Sequence, residues 1–294
     1  MTARDGLQSS EVVWPTEHKL ELIRRLVAAG VRRVEVTSFV NPERVPAMAD
    51  AEAVCTGLPR SGGVRYVGLV LNERGMDRAV AAGVDEVNFV VACSDTFADR
   101  NQTTTAAGSV ERWRRVADRA DGEGIPAQVV LSTAFGCPYE GEVPVERVVQ
   151  VAEACAAAGP VRLTLADTIG SAAPADVEER VAAVAGRLPP EVQLALHLHD
   201  SRGTAVANAW VAYGLGVRSF DASLAGIGGC PYAPGASGNV CTEDLAYLFE
   251  RSGVPTGLDL DELLRASRWL TGRLGRPTPG SYAKAGPFPR REPG

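Results

Sequence analysis

The segment VRLTLADTIGSAAPADVEERVAAVAGRLPPEVQLALHLHD, residues 161–200, contains the repeating unit that decides the fold. Two β-branched apolar runs, 161–167 and 192–199, flank a stretch, 176–188, whose apolar residues recur at helical spacing. Strand, helix and strand in this order predict a parallel β/α unit, because the helix returns the chain to the start of the next strand.

The same alternation extends along the chain in both directions. Further strands are predicted at 32–39, 65–71, 86–92, 127–135 and 217–224. A short candidate at the extreme N-terminus raises the number to eight, which predicts a closed (β/α)₈ TIM barrel with a short or truncated first strand. An open doubly wound sheet is the alternative, but neither GxGxxG after an early strand nor GxxxxGK[ST] occurs in the sequence.

Three regions follow from this pattern. Residues 1–237 are predicted to form the barrel. Residues 238–276 contain two helical patterns, 242–253 and 260–275, which predict a C-terminal helical cap packed on the barrel. Residues 277–294 are rich in proline and glycine, and we expect this tail to be loose at its end.

Composition excludes several classes of function. The net charge of −6 and the absence of a basic tail argue against nucleic acid as the main partner, so a polyanionic ligand would need a local arginine cluster. Apolar runs are too short for a membrane span, and the first residues lack a signal-type apolar core, which predicts a cytoplasmic protein. The six cysteines form no CxxC pair and are interpreted as free thiols.

The lysines constrain the chemistry further. Only Lys19 and Lys284 are lysines among 30 basic residues. Schiff-base catalysis needs a buried lysine at a strand end, whereas Lys19 opens a helix in a polar run and Lys284 lies in the tail. The sequence therefore argues against a Schiff-base aldolase.

Two histidines at a strand end predict a metal site. His197 and His199 are two residues apart, so both imidazoles point to one face and enter the barrel mouth. A pair of hydrogen-bonded core histidines is the alternative. Asp5 and Asn239 are the candidate oxygen ligands, and such a nitrogen and oxygen set suits Mg²⁺ or Mn²⁺. Taken alone, Asp5 is a loop aspartate and Asn239 a helix N-cap.

Six motifs place the chain among known families. RDGLQ, VEVTSFVNPERVPAMADAE, FGCPYEGEV, LADTIGSAAP, HLHD and AGIGGCPYAPGASGNVCTEDL occur in this order over residues 4–245. Together they resemble the 3-hydroxy-3-methylglutaryl-CoA lyase family of metal-dependent TIM barrels. The GGCPYA loop separates these lyases from relatives such as isopropylmalate synthase, which share the HxH strand.

The resemblance implies an acyl-CoA substrate, a divalent cation, a homodimer and a role for each matching residue. The positions that match the metal ligands are Asp5, His197, His199 and Asn239. Arg4 matches the arginine that stabilises the enolate of the departing acetyl-CoA, and Cys230 matches the cysteine of a mobile loop. Glu35 and Asp167 match acidic residues that face the cavity, and Gln8 lies beside the site. Cys230 is the expected proton donor to the acetyl carbanion, with an ordinary buried thiol as the alternative. Asp167 and Asp200 are expected to orient the imidazoles or a metal-bound water.

Three departures from the family pattern bear on these expectations. Only three residues precede Arg4, so either the first strand is a stub or a segment precedes Met1. Gln128 stands where an RGY sequence usually carries arginine. Arg202 and Thr204, in SRGTAVAN, replace the aromatic and the amide of TYGQALAN. These changes leave the metal chemistry intact and predict a different acyl group, although Arg202 is alternatively a solvated residue at a helix start.

The leading functional prediction is retro-Claisen cleavage of a 3-hydroxy-3-methylglutaryl-CoA-like thioester to acetyl-CoA and a 3-keto acid. A lyase for another 3-hydroxyacyl substrate and a Claisen-type synthase are the alternatives, and the GGCPYA loop favours the lyase. A non-catalytic barrel subunit is the third alternative. The intact set of matching residues argues against it.

Overall fold

Seven parallel strands form one curled sheet in which each strand pairs with the next along the chain. The computed structural model describes residues 1–10, 12–60, 62–229 and 238–288. The strands are β1 (Arg33–Ser38), β2 (Arg65–Val70), β3 (Glu86–Ala92), β4 (Ala127–Ser132), β5 (Arg162–Asp167), β6 (Gln193–Leu198) and β7 (Phe220–Asp221). All seven internal strand predictions are confirmed in position, and the architecture is a TIM-barrel-like α/β fold.

Helices follow the strands and form the outer layer. They are α1 (Thr16–Ala28), α2 (Ala51–Thr56), α3 (Glu73–Ala82), α4 (Asp95–Gln102), α5 (Ala106–Gly122), α6 (Val145–Ala156), α7 (Pro174–Ala185), α8 (Ala205–Gly214), α9 (Thr242–Arg251), α10 (Leu260–Leu274) and α11 (Tyr282–Ala285). Local sequence sets their ends. Asn72 caps α3 by accepting a hydrogen bond from Gly75 N at 2.8 Å, and Gly83 ends that helix at a φ of 69°.

The opening segment is a helical turn, and the short first strand predicted there is wrong. Thr2–Gly6 forms a single turn of π type, because the N–H groups of Arg4 and Gly6 both donate to Met1 O. Met1 N donates to Ala222 O at 3.1 Å just after β7, and the turn also packs against β1. The turn thus lies between the first and last strands of the sheet, at the place predicted for the eighth strand.

The last strand is shorter than predicted. A strand was expected over 217–224, but β7 covers only Phe220–Asp221. The chain leaves its neighbour β6 at this point because Ser223 N donates to Val240 O and Ser223 O accepts from Thr242 N. The exchange of partners brings the segment around Val240 back to the barrel mouth.

The C-terminal helices complete the outer layer. Helix α9 packs on α8, and α10 packs on α1 and on the turn Leu224–Gly226. The predicted helices are confirmed, and they lie in the ring of helices between α8 and α1. The proposed division after residue 237 stays a prediction. Part of the tail is docked, since Asp244 accepts hydrogen bonds from Ser281 N and Tyr282 N. Across the described ranges, no helix has the length and apolarity needed to cross a membrane.

Lys19 lies in the interior, although the sequence places it in a polar run. Its side chain is 2% exposed and donates to Ala47 O at 2.6 Å and to Asp50. The ion pair satisfies the buried ammonium and ties α1 to the loop after β1. Schiff-base chemistry needs a lysine at a strand end. Lys19 is buried, but it lies on α1 and is held by a carboxylate, so it remains unsuited to that chemistry.

Candidate active site and metal centre

The two histidines converge with Asp5 at the carboxyl end of the barrel. His197 and His199 are buried, and their Nε2 atoms lie 3.1 Å apart, while Leu198 between them packs into the core. Asp5 Oδ2 lies 4.0 Å from His199 Nε2. One ligand atom from each of the three side chains fits within 4.8 Å of the others. The structure therefore brings together the residues that strand parity and resemblance predicted separately.

Asn239 joins this cluster from the far end of the chain. Its Nδ2 donates to Asp5 Oδ2 at 2.5 Å, and its backbone pairs with His199. Its Oδ1 is buried, and within the described part of the chain it has no hydrogen-bond partner. Facing imidazole nitrogens, a carboxylate and an unpaired amide oxygen are the donor set of a divalent cation site, and the residues present fit that group.

The protonation states of Asp5 and His199 suit metal binding, whereas for His197 burial is outweighed by the hydrogen bond with Asp221, which raises the pKa. Burial opposes the charge of Asp5, but Arg4 and the two histidines outweigh it and lower the pKa of Asp5 to about 2. Burial and the neighbouring His197 lower the pKa of His199 to about 4. At neutral pH the cluster therefore holds a carboxylate and a neutral imidazole, the forms that ligate metals.

Asp221 supports the cluster from behind, and the sequence analysis missed it. Its Oδ2 lies 3.4 Å from His197 Nδ1, the nitrogen that faces away from the cluster. Burial opposes the pairing, yet the hydrogen bond with His197 lowers the pKa of Asp221. Carboxylates in this position fix the ring and tautomer of a metal-ligating histidine. The sequence feature that could have identified Asp221 is the presence of a carboxylate inside the otherwise mostly apolar strand predicted over 217–224.

Asp167 and Asp200 both accept hydrogen bonds from backbone N–H groups, and their expected role toward the imidazoles or a metal-bound water stays a prediction. Asp200 Oδ1 accepts from Ala205 N at the start of α8. Asp167 accepts from Ser171 N at 2.9 Å and Ala172 N at 3.0 Å, and its burial raises its pKa. Both carboxylates therefore shape loops around the barrel mouth.

We expect Asp221→Asn to weaken cation binding by about 10- to 100-fold, the usual effect of losing a carboxylate behind a ligating histidine. Isothermal titration of the purified variant with Mn²⁺ measures the change. Asp200→Asn is the matched control, since asparagine retains the cap on α8 and the dissociation constant should stay at the parent value. Equal affinities for parent and Asp221→Asn would contradict this role.

Arg4 lies beside the cluster and is held by two carboxylates. Its Nε donates to Glu35 Oε1, and its Nη1 donates to Asp5 Oδ1 at 2.9 Å. Glu35 is 4% exposed and its other oxygen, Oε2, accepts from Asn88 Nδ2 at 2.7 Å. Since a planar guanidinium held at two edges cannot rotate freely, Arg4 presents a fixed cationic face next to the candidate metal ligands.

A cavity of about 690 Å³ opens over these residues. Its polar lining near the cluster consists of Arg4, Asp5, Gln8, His197 and His199. Val90, Val130 and Ala166 contribute an apolar wall, and Arg44 and Arg112 line it as further cations. Gln8 is positioned by Ser38, whose hydroxyl donates to Gln8 Oε1 at 3.0 Å. The cavity can thus hold a ligand with both anionic and apolar parts.

The other predicted residues lie elsewhere. Among the described residues, the cavity lining does not include Gln128, Arg202 or Thr204. Arg202 Nη1 donates to Ile169 O and Gly170 O, and Thr204 donates to Ala172 O, so both brace the loop after β5. Their role in shaping the substrate site stays a prediction. Cys230 lies outside the described residues, and its role also stays a prediction.

A parallel barrel with two imidazoles and a carboxylate at its carboxyl end defines a class, the metal-dependent TIM-barrel enzymes. The HMGL-like family model matches residues 1–270. With a match over most of its length, this chain belongs to the HMGL-like family.

Individual relatives agree with this assignment. The hydroxymethylglutaryl-CoA lyase YngG of Bacillus subtilis is 42% identical, over 94% of this chain and 92% of its own. The (R)-citramalyl-CoA lyase of Chloroflexus aurantiacus is 44% identical, over 97% and 92%. The solved structure of an HMG-CoA lyase from A. baumannii, in complex with coenzyme A and 3-methylmalate, has a TM-score of 0.93 and 41% identity, over 98% and 96% of the two chains.

Proposed function

We propose that this chain is a carbon–carbon lyase that cleaves a 3-hydroxy-3-methylglutaryl-CoA-like thioester to acetyl-CoA and a keto acid. The single observation that carries the proposal is the convergence of Arg4 with Asp5, His197 and His199 in one cavity. The retro-Claisen reaction needs a charge-stabilising cation beside a site that binds a hydroxyl group. In the cavity, Arg4 lies directly beside the three residues that could hold the cation.

Asp5, His197, His199 and Asn239 would hold the divalent cation, and Mg²⁺ or Mn²⁺ suits their nitrogen and oxygen donors. When bound, the cation supplies Lewis acidity, which lowers the pKa of the substrate hydroxyl and fixes its orientation. A base then removes the hydroxyl proton as the carbon–carbon bond breaks. The keto acid forms from the hydroxyl-bearing carbon, and the bonding electrons pass to the acetyl carbon.

Arg4 stabilises the charge that develops on the thioester oxygen in this step. Its guanidinium lines the cavity while Glu35 and Asp5 hold it, so little reorganisation is needed as the enolate forms. The enolate must finally accept a proton. We propose the thiol of Cys230 as the donor, in line with its match to the family's loop cysteine.

The 3-substituent of the substrate is a separate question. One close relative is named as a citramalyl-CoA lyase, and citramalyl-CoA carries its carboxylate directly on the hydroxyl-bearing carbon. We propose that this enzyme prefers a thioester differing from 3-hydroxy-3-methylglutaryl-CoA at the 3-substituent or the distal carboxylate. The proposal rests on the departures from the family pattern at 128, 202 and 204, and Arg202 and Thr204, which lie outside the cavity lining, would act through the loop after β5 that they hold.

A coupled assay of acetyl-CoA release from a panel of 3-hydroxyacyl-CoAs, with Mn²⁺-loaded protein, tests both proposals. We expect one panel member to exceed 3-hydroxy-3-methylglutaryl-CoA by roughly 10- to 150-fold in kcat/KM, the value of one charged hydrogen bond. If 3-hydroxy-3-methylglutaryl-CoA reaches about 10⁴ M⁻¹s⁻¹ and no member exceeds it, the altered preference is wrong and the lyase stands. If no member releases acetyl-CoA, the lyase proposal fails.

Assays on the same protein sample distinguish the lyase from two alternatives, a Claisen-type synthase and a non-catalytic subunit. A Claisen-type synthase would condense acetyl-CoA with a keto acid in the net forward direction and show little cleavage. A non-catalytic subunit would do neither. The expected homodimer, which rests on family resemblance, is measured by light scattering.

A further inference from the structure

Buried polar side chains lie directly beneath the wall of the cavity. Val90 and Val130 line the cavity, and Asn88 and Gln128 precede them by two residues, so they share the same faces of β3 and β4. Asn88 and Gln128 are register partners across these strands. Both are nearly inaccessible, at 1% and 7% exposure, and Asn88 lies next to Glu35.

Asn88 and Arg4 grip opposite oxygens of one carboxylate. Asn88 Nδ2 donates to Glu35 Oε2 at 2.7 Å, and Arg4 Nε donates to Glu35 Oε1. The terminal torsion of a glutamate side chain is broad, so a single partner leaves the carboxylate plane loosely defined. The second donor fixes that plane, and the plane sets the direction in which the guanidinium lies.

The free-energy cost of burying the Asn88 amide also indicates that its hydrogen bond to Glu35 matters. Asn88 Oδ1 is buried, and no hydrogen-bond partner for it exists within the described ranges. An unsatisfied buried acceptor is destabilising, and an apolar side chain of similar size would avoid that cost. The N–H donor is therefore the property of Asn88 that the interior uses.

We infer that Asn88 is a positioning residue for the reaction: it holds Glu35 so that the Arg4 guanidinium stays aimed into the cavity. Asn88 is not among the described residues that line the cavity, and its side chain donates to Glu35, so it acts through Glu35 and Arg4. The inference rests on the proposed function where it concerns turnover, and on the bonds among Asn88, Glu35 and Arg4 where it concerns geometry.

Asn88→Leu removes the donor and keeps the number and branching of the side-chain heavy atoms. We expect kcat to fall by about 10- to 100-fold, the range typical of groups that hold a functional side chain in place. KM should stay within about threefold of the parent value, and the cation affinity should not change. Asn208→Leu is the matched control, because Asn208 is equally buried and donates to Ala172 O, and its Oδ1 also has no partner among the residues that the structure describes. It should lose thermal stability and keep kcat.

Asn88→Asp gives a readout that a packing role would not produce. Two carboxyl groups in hydrogen-bond contact share one proton, which raises the upper apparent pKa of the pair. While the proton is shared, the introduced O–H replaces the amide donor. As pH rises through the upper apparent pKa, the donor is lost and the two carboxylates repel. Turnover of this variant should therefore decline with rising pH along a limb that the parent lacks.

A measurement independent of turnover completes the test. The ¹⁵Nε–H resonance of Arg4, identified by its absence in Arg4→Lys, should shift or broaden in Asn88→Leu and stay in place in Asn208→Leu. If Asn88→Leu does not fold, the pH profile and resonance of Asn88→Asp decide. An unperturbed Arg4 resonance, or a parent-like pH profile, would overturn the inference. An inactive parent enzyme would overturn the proposed function while leaving the resonance test intact.

Discussion

Replacing His199 with alanine should abolish cation binding and turnover together. His199 Nε2 lies 3.1 Å from His197 Nε2 and 4.0 Å from Asp5 Oδ2, so its loss removes a proposed ligand from the centre of the cluster. Loss of a partner behind a ligand already costs about 10- to 100-fold, and a direct ligand should cost more than that in both quantities. Elemental analysis after dialysis and the acetyl-CoA release assay measure them on one sample.

His18→Ala is the matched control for that experiment. His18 is half-buried on α1, where its ring meets the edge of Trp14 at a centroid distance of 6.2 Å, and it is not among the described residues that line the cavity. The control should retain metal content and kcat. Full metal occupancy with unchanged turnover in His199→Ala would remove the metal site from the proposal.

Cys230→Ser should fold like the parent and lose about 10²- to 10⁴-fold in kcat, the range for general acid–base groups. A serine hydroxyl is a far weaker acid than a thiol, so proton delivery to the enolate would become slow while binding stays intact. Steady-state kcat, KM and the melting temperature separate these effects.

Cys55→Ser provides the comparison. Cys55 is fully buried in α2, burial raises its pKa to about 11, and the described cavity lining does not include it. This variant should melt at lower temperature and keep its kcat. If Cys230→Ser behaves in the same way, the thiol at 230 serves packing and another group delivers the proton.

The sequence predicts the strands well because their signal is local. A β-branched run identifies the middle of a strand wherever it packs, as in 86–92, which matches β3 throughout. Ends depend on contacts that the run does not contain. The strand predicted over 127–135 ends at Ser132, and the next residue, Thr133, adopts a left-handed φ of 58°.

The site residues also differ in how far the local sequence predicts them. Strand parity alone places His197 and His199 on one face, whereas Asp5 and Asn239 needed the family resemblance. Asp221 and Asn88 escaped both, because their roles come from neighbours on other strands and their own surroundings in sequence are apolar.

Arg202, by contrast, was predicted as a site residue from the sequence, but in the fold its hydrogen bonds go to the backbone. A guanidinium in a loop at the barrel mouth can bind a substrate anion or backbone carbonyls, and the sequence does not distinguish these partners. In the fold it meets two carbonyls of the loop after β5.

The hydrogen bond between Asn239 and Asp5 joins residues 234 positions apart in the chain. During synthesis Asp5 leaves the ribosome long before Asn239, so the proposed four-ligand site cannot form until residue 239 has emerged. Closing so long a loop has an entropic cost, which opposes formation of the site. A cation that binds only the closed barrel recovers part of that cost, about 2.7 kcal/mol at a concentration one hundred times its dissociation constant. A cation bound as proposed would therefore link residues 5 and 239, which are distant in sequence, in addition to its role in the reaction.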